Sequence, residues 1–212
     1  MSPKRTTSLY LFTPALTAAS LGAFAPALAE ALASGEVASV LVRLAPNTEG
    51  DAKKIIARLL EITAPTDTAL LVQNDSRLAA RAGADGVHVS GAGAALTEAL
   101  TSLKPERIVG AGLLRSRDDA MTAGEAGADY VMFGEPRPDG FTPPADETLD
   151  RVAWWAEIFE PACVGFAASL DEVAPLAAAR ADFVALGDAI WLAPSPRAAL
   201  SQAVAALVIP EG

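Results

Sequence analysis

Lysine is scarce in this chain of 212 residues: Lys4, Lys53, Lys54 and Lys104 are all there are, and none occurs in the second half. Sixteen basic residues face 26 acidic ones, for a net charge of −10. A concentrated basic face for nucleic acid or an anionic membrane is therefore not expected. Cysteine is scarcer still. Cys163, the only one, lies in the apolar run Ala162-Cys-Val-Gly165, which excludes an internal disulfide and predicts a buried thiol in a reducing, cytoplasmic setting. Histidine occurs once, at His88. Low-complexity blocks are absent, and no segment has the length and polarity of a membrane span. What the chain does have is 51% hydrophobic and 20% charged residues, enough for one compact domain over residues 1–212.

The N-terminus imitates a secretory signal, with Lys4 and Arg5, an apolar stretch from Leu9, and Ala27-Leu-Ala29 in the place of a cleavage site. Leu9-Tyr-Leu-Phe12 also reads as a strand, and Pro14 and Pro26 punctuate the apolar stretch. The expectation is a first strand and helix, without which a barrel could not close.

Three stretches repeat one pattern: Ala82-Gly-Ala-Asp-Gly-Val-His88, Ala126-Gly-Ala-Asp-Tyr-Val131 and Ala179-Arg-Ala-Asp-Phe-Val184. In each, a small-residue helix end meets an aspartate and then a short apolar run suited to a buried parallel strand. Asp85, Asp129 and Asp182 are far enough apart for two βα units per interval, which predicts a single-domain (β/α)8 barrel. The eight strands are expected at about Leu9 to Thr13, Ser39 to Arg43, Ala69 to Gln73, Gly86 to Val89, Arg107 to Ala111, Asp129 to Phe133, Ala162 to Gly165 and Asp182 to Leu186. The first helix should end near Ser34-Gly35. Ser116-Arg-Asp-Asp119 and Ser169-Leu-Asp-Glu172 read as capping boxes, and Ser195-Pro196 opens the last helix. The longest gap, residues 134–144, follows strand six, and long rim loops tend to carry function.

Tyr10-Leu-Phe-Thr13, Leu41-Val-Arg43, Asn74-Asp75, Gly83-Ala-Asp-Gly-Val-His88, Gly127-Ala-Asp-Tyr-Val131 and Ala181-Asp-Phe-Val184, in that order, resemble thiamine phosphate synthase and its thiazole tautomerase branch. The resemblance implies a TIM barrel and a transferase of thiamine biosynthesis that joins a pyrimidine diphosphate to a thiazole phosphate, with magnesium on the diphosphate. It also implies that Arg43, Asn74 and Asp75 bind substrate, with Asp75 a magnesium ligand. Gly112, Gly165 and Gly187 then fall on the phosphate- and substrate-binding rim. The expected partner is a small thiazole- or pyrimidine-type molecule, and a homodimer is one assembly the chain allows.

Several family positions differ here. Leu41 and Ala45 replace polar neighbours of the arginine, Gly91-Ala-Gly93 replaces the run with a second magnesium aspartate, and Gly112 replaces a serine. Phe166-Ala167 replaces a phosphate-binding glycine pair. Gly187-Asp188 follows strand eight, where a carboxylate would either cap the amides of the helix N-terminus or repel a phosphate from them. A loop lysine after strand six is missing. Where the tautomerase branch can carry an acid–base histidine, this chain has Glu135, a candidate for proton transfer with Arg43 and Asn74 orienting the ligand.

Each candidate also has a plainer role. Asn74 and Asp75 precede a helix and could cap it, and Arg43 could pair with a rim carboxylate. His88, opposite in phase to Val87 and Val89, is either a structural or a catalytic histidine facing the lumen or the helix layer. Arg115 and Arg117 read as a solvated helix start. Trp154, Trp155 and Trp191 read as packing or interface residues.

Overall fold

A computed structural model describes residues 6–33 and 37–208. Eight strands alternate with helices: β1 (Ser8–Leu16), α1 (Ala18–Leu32), β2 (Val37–Leu44), α2 (Ala52–Thr63), β3 (Ala69–Gln73), α3 (Ser76–Ala82), β4 (Gly86–Ser90) and α4 (Ala94–Leu103). The second half continues with β5 (Ile108–Gly112), α5 (Arg117–Glu125), β6 (Tyr130–Phe133), α6 (Ala145–Ile158), β7 (Ala162–Phe166), α7 (Val173–Ala178), β8 (Phe183–Leu186), α8 (Asp188–Trp191) and α9 (Pro196–Leu207). Every neighbouring pair of strands is parallel, and β1 pairs with both β2 and β8, so the sheet closes into the expected (β/α)8 barrel.

Alternation along each strand divides the core in two. Leu9 and Leu11 of β1 face the helices, where Leu28, Ile55, Leu59 and Trp155 complete the outer layer. Tyr10 and Phe12 face inward, with Leu41, Leu71, Tyr130, Met132, Val164, Phe166 and Ala185 filling the lumen. The signal-like segment thus forms β1 and α1, and Pro26 is accommodated inside the helix.

The three repeated aspartates do one structural job at the foot of the barrel. The Asp85 N–H donates to Leu70 O at 2.9 Å while its Oδ2 accepts the Leu70 N–H at 2.7 Å. Asp129 brackets Val109 in the same way, both bonds being 2.8 Å. Asp182 brackets Cys163 at 2.9 and 2.8 Å. Each aspartate precedes an even-numbered strand and locks its start to the odd-numbered strand before it, where one further pair of backbone groups would otherwise lack partners.

Two local expectations change. Ser116 and Asp119 form the reciprocal capping box, but Ser169 does not cap. A 3₁₀ turn at Leu170–Glu172 comes first, and Glu172 reaches back to the Ala168 N–H at 2.9 Å. The short helix α8 was not anticipated, because four residues give no period to read. The expected end of the first helix, Ser34-Gly35, lies outside the described residues. Trp155 and Trp191 are packing residues whose indole N–H groups donate to Pro161 O and Phe12 O.

Asp85→Ala is expected to lower the unfolding free energy by about 1–3 kcal/mol, because it strips the Leu70 N–H of its acceptor. Asp85→Asn, which keeps an acceptor oxygen, should cost less. Urea titrations of the three proteins check this.

Candidate active site

His88 points into the lumen and is fully buried. Its Nε2 lies 2.9 Å from Glu135 Oε1, and its Nδ1 lies 2.8 Å from the Tyr130 hydroxyl. Tyr130 in turn meets the Tyr10 hydroxyl at 2.9 Å, and the second Glu135 oxygen accepts the Leu113 N–H at 2.7 Å. Four side chains from β1, β4, β6 and the loop after β6 thus form one chain of hydrogen bonds across the upper lumen.

Proton counting gives this chain a direction. If Tyr10 donates to Tyr130, Tyr130 to His88 Nδ1, and His88 Nε2–H to a Glu135 carboxylate, every proton has an acceptor. A doubly protonated ring would leave one tyrosine hydroxyl proton without an acceptor, since no other partner reaches Tyr10. The neutral imidazole protonated at Nε2 is therefore the arrangement the geometry satisfies. Both phenols are held well above their ordinary ionisation range, first by burial, with the Glu135 charge adding to it.

The sequence of β5 leaves room for this network. A Cβ at Gly112 would fall 1.8 Å from Glu135 Oε2 and 2.4 Å from His88 Nε2, and one at Gly110 would fall 1.9 Å from the Tyr130 ring. A serine at position 112 therefore cannot coexist with Glu135 in this position. Leu113, which follows, takes φ 50°, a strained value for a bulky residue. That conformation aims its N–H at Glu135. Gly134 (φ 88°) turns the chain out of β6, and a Cβ there would strike Thr148.

The other candidate residues have partners of their own around the rim. Arg43 ends β2 with its guanidinium 5.6 Å from the Phe12 ring centroid, its Nε–H on Thr13 O, and Asp188 at 3.7 Å. Partial burial lowers its pKa and Asp188 pushes it back up. Asn74 adopts φ 58° and accepts the Ser90 N–H at 2.7 Å, so it ties β3 to the end of β4. Asp75 caps α3 through the Leu78 N–H at 2.8 Å. No group of three or more acidic, histidine or cysteine side chains suited to a metal occurs among the described residues. A lone carboxylate already engaged as a cap does not make a magnesium site of the protein's own. Gly187 faces Phe12 and Phe166 at the mouth, but Gly165 faces outward, where a Cβ would meet Leu176 and Val152. The side-chain position of Gly165 therefore falls in the packing layer outside the barrel. Arg43 and Asn74, expected to orient a ligand beside Glu135, make no direct hydrogen bond to it among the described residues.

Tyr10 and Tyr130 escaped the sequence reading as site residues, although Gly110 and Gly112, alternating on the lumen face of β5, signalled that something bulky fills the space beside them.

Residues 9–190 match the family described as thiamine monophosphate synthase. The thiamine-phosphate synthase of Rhodospirillum centenum is 39% identical over 90% of this chain and 92% of its own. This chain belongs to the thiamine monophosphate synthase family. The thiamine-phosphate synthase of Erythrobacter litoralis is 35% identical over 87% of this chain and 88% of its own. Among solved structures, thiamine phosphate pyrophosphorylase from Pyrococcus furiosus superposes with a TM-score of 0.80 at 21% identity, covering 96% of both chains. 3-Hexulose-6-phosphate synthase from Salmonella typhimurium gives 0.72 at 18%, covering 94% of this chain and 98% of its own. These two likenesses speak for the fold.

Two measurements check this geometry. His88→Ala leaves the buried carboxylate without its side-chain partner and is expected to cost roughly 3–5 kcal/mol in urea unfolding. The tyrosines set an alkaline limit. The unfolded chain releases their protons near pH 10 while the folded chain keeps them, so their stabilising effect is complete below about pH 10 and is lost as pH rises above it. Stability above pH 10 should fall less steeply in Tyr130→Phe than in the native protein, by about 1.4 kcal/mol per pH unit.

Proposed function

We propose that this chain catalyses the transfer for which its relatives are named, joining a pyrimidine diphosphate to a thiazole phosphate with release of pyrophosphate. The observation that carries the reading is the likeness to thiamine-phosphate synthases over nine-tenths of both chains, with Arg43, Asn74 and Asp75 kept at the mouth of the barrel. As the bond between the pyrimidine methylene and the diphosphate breaks, negative charge grows on the leaving oxygens, and positive groups fixed nearby lower that barrier. The groups this chain offers are guanidiniums, Arg43 beside β2 among them. Magnesium, where a substrate diphosphate brings it, would have Asp75 at the start of α3 as a protein ligand, with the diphosphate itself supplying most of the others. Phe12 and Phe166, 5.3 Å apart between ring centroids, floor the mouth and keep water from beneath the reacting groups.

A second reading is favoured by the His88–Glu135 pair. A carboxylate oriented by a neutral imidazole at the edge of an apolar lumen is suited to moving a proton on a thiazole-type ligand, as in the tautomerase branch.

The test incubates purified protein with both substrates and magnesium and follows thiamine phosphate by fluorescence after oxidation. Product is expected, and Arg43→Ala should lower kcat/KM by about 10- to 100-fold. A folded preparation that makes no product beside an active synthase would overturn the transfer reading. Deuterium exchange into the thiazole substrate alone, abolished in Glu135→Gln, would then support the second.

A further inference from the structure

Directly outside the Glu135 carboxylate, the turns after β4 and β5 and the long loop after β6 enclose a cleft of about 370 Å3, bounded by Ser90, Leu113, Arg115, Arg137 and Asp139. A narrower hollow of about 20 Å3 shares Leu113, Arg115 and Arg137 with it and continues down to Met132 and Glu135. The cleft's volume is that of a site for a small organic ligand.

Its two cations are among the described arginines that no carboxylate pairs. Arg43, Arg58, Arg77, Arg151 and Arg197 all face carboxylates. Arg115 and Arg137 have no carboxylate partner among the described residues, in a protein whose net charge is −10. Arg137 is nevertheless held in place. Its guanidinium stacks 4.5 Å from the Phe141 ring centroid, and the backbone turn 137–141 is closed by Arg137 N–H on Phe141 O at 2.8 Å. Stacking occupies the face of a guanidinium and leaves its N–H edge free to donate. Arg115 is anchored through its main chain, with its N–H on Asp119 and its carbonyl accepting from Arg151. Its side chain is exposed toward the cleft. The Ser90 hydroxyl lies on the same wall with no protein partner among the described residues, since Asn74 takes only the Ser90 N–H. Asp139 is the one acid on the wall, and its Oδ1 already accepts the Phe141 N–H at 3.0 Å.

We propose that this cleft is an anion subsite in which Arg115 and Arg137 hold the phosphate or diphosphate of a phosphorylated small molecule. Two guanidinium edges match the planar, bidentate recognition that phosphate oxygens accept, and Ser90 adds a neutral donor. The subsite deepens the transfer reading, on which its choice of ligand rests, by supplying positive charge that the chain's missing loop lysine does not. It also places the organic part of the ligand over Leu113 and Glu135. Arg115 is thus a ligand-binding residue and not a solvated helix start.

Inorganic pyrophosphate is the probe, titrated calorimetrically without magnesium into the native protein, Arg115→Ala, Arg137→Ala, the double variant, and Arg58→Ala as a surface control. Pyrophosphate should bind the native protein and the control equally and each single variant less tightly. In the double variant, binding should weaken tenfold or more, about 1.4 kcal/mol, with the urea midpoint unchanged. Absence of pyrophosphate binding to the native protein, or equal binding to the double variant, overturns the subsite. The transfer assay separates the two ideas. Arginine-dependent pyrophosphate binding without thiamine phosphate keeps the subsite and removes the transfer reading. Product at native rates from a double variant that still binds pyrophosphate removes the subsite alone.

Discussion

The hydrogen bond between His88 Nε2 and Glu135 Oε1 constrains more of this barrel than any other single contact. A carboxylate buried to this degree needs donors, and the chain provides two, an imidazole N–H from β4 and the Leu113 amide from the end of β5. Accepting both forces the backbone to bend: Leu113 takes a left-handed conformation, Gly134 another, and β5 must carry glycine at 112 because no side chain fits. The imidazole, fixed by Glu135 on one nitrogen, then requires a donor on the other. Tyr130 supplies it and passes the demand on to Tyr10. One ionised group thereby fixes residues on five neighbouring segments.

The same pair sets what β5 can carry at its end. Gly112 and Glu135 go together sterically, since the carboxylate occupies the volume that a side chain at position 112 would need. Negative charge placed at the floor of the mouth has to be matched by positive charge above it if a phosphorylated ligand is to approach. Arg43 is partly neutralised by Asp188, whereas Arg115 and Arg137 are not paired. The positive charge of the mouth that no carboxylate pairs thus lies on the side of the loops after β5 and β6.

The fold was legible because a parallel barrel repeats its grammar. Small residue, aspartate and apolar run recur three times, and the structure gives that recurrence a cause in the bracket each aspartate makes with the preceding strand. The site was only partly legible. His88 and Glu135 could be named from their chemistry, but their contact joins residues 47 apart in sequence, and nothing in the local pattern encodes such a pairing. Asn74 and Asp75 illustrate the opposite difficulty. Their residue types suit ligand binding and turn formation equally, and the left-handed φ of Asn74 with the cap by Asp75 fulfils the second role. Gly165 lies one residue out of phase with the lumen, so in a strand of period two its side-chain position falls in the packing layer.

The direction of the proton chain follows from where it ends. Tyr10 has no acceptor beyond Tyr130, so the network cannot be reversed without leaving a buried hydroxyl proton unsatisfied. With the tyrosines and the imidazole neutral, Glu135 carries the only charge of the four. The two donors that hold Glu135, His88 Nε2–H on one oxygen and the Leu113 amide on the other, orient the carboxylate from both sides beneath the hollow that opens on the cleft.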